Sequence, residues 1–164
     1  MNYLKIEGSS LSNGKGWRVV LWCAGCDHQC YNCHNPESWN EHAGKEFTDE
    51  QMDLILDLLK PSYIKGLTLS GGDPLFYNNR ETMAKICKTV KEVYPNKDIW
   101  MYTGFNYNDV KNLEVLDYVD VLIDGLFVNS LRDVSLAFRG SSNQKVINVP
   151  ESRKAGETIC MNVD

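Results

Sequence analysis

Two rhythms of apolar and polar positions run along the chain. Trp17-Arg18-Val19-Val20-Leu21-Trp22 is rich in β-branched and aromatic residues and predicts a buried strand. From Thr48 onward, Met52, Ile55, Leu56 and Leu59 recur at i, i+3, i+4 and i+7, which gives a helix one apolar face. Thr48 and Gln51 stand three apart, as a capping box requires, and Pro61 marks the stop. Residues 64–69 predict a second strand, which runs into Ser70-Gly71-Gly72-Asp73-Pro74. Met83, Ile86, Cys87, Val90 and Val93 share one face of a second helix, so Cys87 reads as a buried structural thiol. A third strand over 98–102 ends at Thr103-Gly104, and Val110, Leu113 and Leu116 suggest a short helix. A fourth strand over 118–123 ends at Asp124-Gly125, and a fifth is expected over 144–149. Residues 1–16 lack periodicity and are expected to form a lead-in and a turn. The tail from Pro150 is polar and expected to be mobile, and Cys160 within it follows no pattern.

Strands alternating with helices at this spacing predict an α/β fold with a mainly parallel sheet. Five strands are too few for a closed eight-stranded barrel, so an open, partial (β/α) barrel is expected. No repeat, low-complexity run or linker interrupts the chain, and residues 1–164 read as one domain. In a parallel sheet the C-terminal strand ends share one edge, where α/β proteins bind ligands. The stretch after the first strand and the turns at Gly71-Gly72-Asp73, Thr103-Gly104 and Asp124-Gly125 are therefore expected to meet at one site.

The formal net charge of −5 argues against a broad nucleic-acid surface, which needs clustered Lys and Arg. No apolar run approaches the roughly 20 residues that span a bilayer, and Met1-Asn2-Tyr3-Leu4-Lys5 lacks the apolar core of a signal peptide. The expected setting is a reducing cytoplasm, where clustered cysteines are more often metal ligands than disulfides.

That matters because four of the six cysteines fall within residues 23–33, spaced C-x2-C-x3-C-x2-C. Thiolates are soft ligands, and such density points to a metal site. Two arrangements fit the spacing. All four cysteines make a closed site, either structural zinc in a protein-interaction module or a fully ligated iron–sulfur cluster. Alternatively Cys26, Cys30 and Cys33 alone hold a four-iron cluster, leaving one iron for a substrate. His28 lies between these cysteines and reads as packing against the loop.

The ordered motifs carry a resemblance. Cys26-x3-Cys30-x2-Cys33 after the first strand, with Gly71-Gly72-Asp73 after the second, resembles the radical S-adenosylmethionine superfamily. More narrowly, the segments 24–39, 69–75, 97–104, 120–125 and 139–144 resemble, in order, the activating-protein family of anaerobic ribonucleoside-triphosphate reductases. The resemblance implies a radical SAM type of fold and a 4Fe-4S cluster on Cys26, Cys30 and Cys33. It implies that S-adenosylmethionine (SAM) is cleaved reductively there and that a glycyl radical is raised on the partner reductase. A flavodoxin-type protein is implied as electron donor, and another glycyl radical enzyme, such as pyruvate formate-lyase, is the alternative partner. Gly71, Gly72 and Asp73 are implied SAM contacts, with backbone carbonyls facing the ammonium group, although Asp73 is one methylene shorter than the usual Glu. Asn32, Cys33 and His34 are implied on the adenine side, with a surface role for His34 as the plainer alternative. The same resemblance makes Cys23 a buried thiol outside the ligand set. Thr103 and Asp124 are strand-end groups for ligand contact or turn capping, and Arg139 is one for partner docking or site closure.

Overall fold

The computed structural model describes residues 1–164. β1 (Asn2–Ser10) occupies most of the stretch expected to be a lead-in. Its residues are mostly half-buried on a sheet flank, so the alternation that marks a strand is blurred. β2 (Trp17–Cys23) follows, then the cysteine loop and a two-residue strand β3 (Lys45–Glu46). α1 (Asp49–Leu59) begins after Thr48, whose amide donates to Gln51 Oε1 at 2.9 Å, as the capping box predicts. β4 (Ile64–Gly71), α2 (Arg80–Val93) and β5 (Asp98–Tyr102) come next. The expected short helix divides into α3 (Tyr107–Val110) and a 3-10 turn over Glu114–Asp117. β6 (Val121–Asp124) starts later than expected, because Tyr118 still closes that turn. β7 (Lys145–Asn148) leads into α4 (Val149–Ala155), so the tail is not featureless. Asn148 Oδ1 accepts the Glu151 amide at 3.0 Å and left-handed Gly156 ends the helix, signals of an N-cap and a C-cap within a polar stretch.

The seven strands form one sheet in the order β3-β1-β2-β4-β5-β6-β7. β2, β4, β5 and β6 are parallel, whereas β1, β3 and β7 pair antiparallel at the flanks. The expected parallel centre is present. β3 and β7 lie at opposite ends of the strand order and do not pair with each other, so the sheet does not close on itself.

Strand alternation sorts side chains onto two faces. Val19, Leu21 and Cys23 of β2, Leu67 and Leu69 of β4, and Ile99 and Met101 of β5 meet the apolar faces of α1 and α2 in the main core. Cys87 is fully buried there, as expected, and burial pushes its thiol up to about 12. The other face carries Arg18, Thr68, Trp100, Val121, Ile123 and Val146, with Phe138, Met161 and Val163 packed against its apolar part.

Arg18 plugs the N-terminal end of this second face. It is fully buried, and Nε donates to Thr68 Oγ1 at 2.7 Å while Nη2 donates to the Leu67 carbonyl at 2.9 Å. Its Nη1 lies 2.7 Å from Asp98 Oδ1, an ionic contact rather than an aligned hydrogen bond, and its guanidinium stands 5.3 Å from the Trp100 ring centroid. Burial lowers the Arg18 pKa while Asp98 opposes the shift. Removing such a group strands its acceptors and leaves a void, so Arg18→Leu is expected to cost about 3 kcal/mol. Urea unfolding of the cluster-free chain, comparing midpoints at constant m, measures it.

Candidate functional site

The site forms where the parallel strands end. β2 delivers the cysteine loop beside the turn that follows β4, and the two are joined through backbone. The Gly72 amide donates to the Cys23 carbonyl and the Asp73 amide to the Gly25 carbonyl, each at 2.8 Å. Asn79, buried, donates from one side-chain amide to the Ala24 carbonyl at 2.8 Å and the Asp73 carbonyl at 3.1 Å. A Cβ on residue 72 would stand 2.5 Å from the Gly25 carbonyl oxygen and 2.8 Å from that of Ser38. Only glycine lets these backbones approach so closely. No donor of the chain reaches the Gly72 carbonyl.

A cavity of about 620 Å³ opens at this edge. Cys26, Cys30 and Cys33 line it together with Asn32, His34, Gly71, Gly72, Asp73 and Thr103, whereas Asp124 does not border it. Trp22, Ser70 and Tyr102 line it from the second face of the sheet. Their strand positions could be read from sequence, but the neighbouring register that aligns them could not. The 126–144 segment supplies the opposite wall, including Phe127, Phe138 and Arg139.

Each of the three cysteine sulfurs faces a backbone N–H. Cys26 is approached by the amides of His28 and Gln29, Cys30 by that of Phe127, and Cys33 Sγ accepts from the Asn35 amide at 3.4 Å. Burial pushes the Cys26 thiol up to about 11 against its amide donors, and raises Cys30 by the same cause. Metal binding to such thiols displaces their protons. Gln29 and Asn32 adopt left-handed backbone at φ 47° and 58°, and the Asn32 side-chain amide donates to Asn129 Oδ1 at 3.3 Å. No three His, Cys, Asp or Glu side chains converge as ligands of a single ion would. A multi-iron cluster spreads its ligands further apart.

Cys23 stands outside this group. It is the last residue of β2, is fully buried in the main core, and burial raises its thiol pKa strongly. The cavity is bordered by Cys26, Cys30 and Cys33 and not by Cys23. His34 is exposed at the rim. Asp124 points to the helix side, accepting the Tyr107 amide at 2.8 Å as a turn cap; burial raises its carboxyl pKa. Arg139 is ion-paired with Asp164, whose carboxylate also accepts the Ala137 amide at 2.9 Å. No local pattern in the sequence signals this link between the tail and the cavity wall.

Asp73 is only 1% exposed, and its carboxylate is fully engaged. It accepts from the Leu75 amide at 2.8 Å, the Thr103 hydroxyl at 2.9 Å, the Gly104 amide at 2.9 Å and His28 Nε2 at 2.7 Å. Thr103 is thus an anchor for Asp73. The Asp73 hydrogen bond is the main cause that raises the His28 pKa, with burial opposing it.

The comparisons with known proteins agree with this geometry. Residues 12–147 match the 4Fe-4S single cluster domain. The chain is 45% identical over 146 residues to the anaerobic ribonucleoside-triphosphate reductase-activating protein of Enterobacteria phage T4, covering 89% of this chain and 93% of that protein. It is 44% identical over 148 residues to the protein of that name from Haemophilus influenzae, covering 88% and 96% of the two chains. The protein of that name from Escherichia coli K12 is 39% identical over 150 residues, covering 89% and 97%. On its domain match and on these relatives, the chain belongs to the 4Fe-4S single cluster domain family and, within it, to the anaerobic ribonucleoside-triphosphate reductase-activating proteins.

Proposed function

We propose that this chain is a radical SAM activase that raises a glycyl radical on an anaerobic ribonucleoside-triphosphate reductase. One observation carries the reading: three amide-facing cysteine sulfurs and a glycine turn with a free carbonyl border the same cavity. When bound, a 4Fe-4S cluster with one iron free of protein ligands supplies the electron that splits the SAM sulfonium into methionine and a 5′-deoxyadenosyl radical, which takes a hydrogen atom from a glycine of the reductase. Cys26, Cys30 and Cys33 hold the cluster. The amides at their sulfurs stabilise the added negative charge of the reduced state. Gly71 and Gly72 border the methionine end, where the Gly72 carbonyl accepts from the ammonium group. Asp73 keeps that turn in place, and Asn32, Cys33 and His34 border the adenine side.

Around this site, Trp22, Ser70 and Tyr102 form a semi-polar wall that receives the glycine-bearing segment and limits water near the radical. The relatives' names favour the reductase over pyruvate formate-lyase as the partner. A flavodoxin-type donor supplies the electron.

Electron paramagnetic resonance of the anaerobically reconstituted, reduced chain tests the reading. A 4Fe-4S signal that changes when SAM is added is expected; a signal indifferent to SAM would refute the open-iron arrangement. Cysteine variants test the ligand set. Cys30→Ser is expected to lose iron and SAM cleavage. Cys23→Ser is expected to keep both, at a stability cost of about 1–3 kcal/mol for burying a hydroxyl in an apolar core. Equal iron loss in the two variants would restore Cys23 to the ligand set.

A further inference from the structure

We propose that Asp73 and His28 form one positioning pair: Asp73 acts through the His28 imidazole on the cysteine loop, and its carboxylate does not touch SAM. The proposal rests on the cluster assignment above and departs from the direct contact that the glycine–glycine–acid motif suggests.

Four observations converge on the pair. First, the carboxylate has no capacity left. Leu75, Thr103, Gly104 and His28 supply four donor groups to its two oxygens, and its side chain is 2% exposed. A ligand ammonium would have to displace one of these donors. The Gly72 carbonyl offers that ammonium an acceptor with no competing donor. Second, His28 lies between Cys26 and Cys30, so whatever fixes its ring fixes the span joining two ligands. Third, the surroundings are shaped to the ring. A Cβ on Gly104 would lie 2.4 Å from His28 Cδ2 and 2.7 Å from Nε2, so only glycine leaves room for the imidazole. The Phe105 ring meets it edge-on, with centroids 4.6 Å apart. Fourth, the shortness of Asp73 draws its carboxylate back among the strand ends, and the imidazole bridges from there to the cavity. His28 lines that cavity with 16% of its side chain exposed.

The pair therefore ties three strand ends to the cluster loop: β2 through His28, β4 through Asp73, and β5 through Thr103 and Gly104. Groups of this kind, one layer behind metal ligands, orient those ligands and tune the metal.

The test uses the full chain reconstituted anaerobically with iron and sulfide. His28→Gln, Asp73→Asn, the double variant and Gly104→Ala are compared with wild type. Gly104→Ala displaces the imidazole while leaving Asp73 in place, and so serves if Asp73→Asn fails to fold. The readouts are iron retained per chain, the resonance spectrum of the reduced protein with and without SAM, and kcat and KM for uncoupled SAM cleavage. The expected result is a fall of about 10- to 100-fold in kcat or in iron affinity for each single variant, with KM for SAM nearly unchanged. The spectrum with SAM should change alike in His28→Gln and Gly104→Ala. The double variant should be no worse than the worse single one, because the two groups act as one.

Independent, multiplicative losses would overturn the proposal. So would a large rise in KM for SAM in Asp73→Asn with wild-type behaviour in His28→Gln, since that pattern puts the carboxylate on the ligand. A wild-type chain that binds no iron would overturn the cluster reading and this proposal with it. A wild-type chain that holds iron, with variants acting independently, would overturn this proposal alone.

Discussion

Two backbone hydrogen bonds hold the site together: Gly72 to the Cys23 carbonyl and Asp73 to the Gly25 carbonyl. They join the end of β4 to the stem of the cysteine loop at a separation that admits no side chain. Everything at the functional edge follows from this contact. Beside it, Cys26, Cys30 and Cys33 border the cavity together with Gly72, while Cys23 stays behind in the core. The parallel pairing of β2 with β4 sets it up, since the register aligns Cys23 with Gly71.

The sheet divides the work between its faces. The helix side is an ordinary apolar core, in which α1 and α2 cover odd-numbered positions of β2, β4 and β5. The other side mixes a buried arginine, aromatic rings and hydroxyls, and is only partly covered. Such a face is costly to leave unpartnered in a small protein, because its polar groups must be paired inside the fold. Arg18 meets that demand at the closed end through Thr68, Leu67 and Asp98. At the open end Trp22, Ser70 and Tyr102 line the cavity.

The sequence was most legible where local rules coincide with tertiary need. Helical apolar spacing gave α1 and α2, apolar runs ended by turns gave the parallel strands, and the cysteine spacing gave the metal-ligand candidates. It failed at β1 and at α4. β1 is half-buried and paired antiparallel, so its residues follow neither period cleanly, and α4 is announced by caps rather than by an apolar face. The chemistry of the site was legible by residue type and only partly by role. His28 and Asp73 were both noted, but their hydrogen bond spans 45 positions and no local pattern encodes it. Thr103, open to ligand contact or turn capping, serves as an anchor for Asp73. Gly104 looked like a turn residue, and its missing side chain makes room for a ring.

The burial of Cys23 also governs how the protein ages in air. Once the metal is gone, the cavity holds three thiols, an odd number. Oxidation can join two of them in one disulfide, and the third has no partner within the loop, because the fourth cysteine of the run is sealed in the core. That unpaired sulfur, together with exposed Cys160, is left to react with another molecule. An oxidised site therefore keeps an odd thiol open to exchange, and a thiol reductant is needed before the metal can be restored.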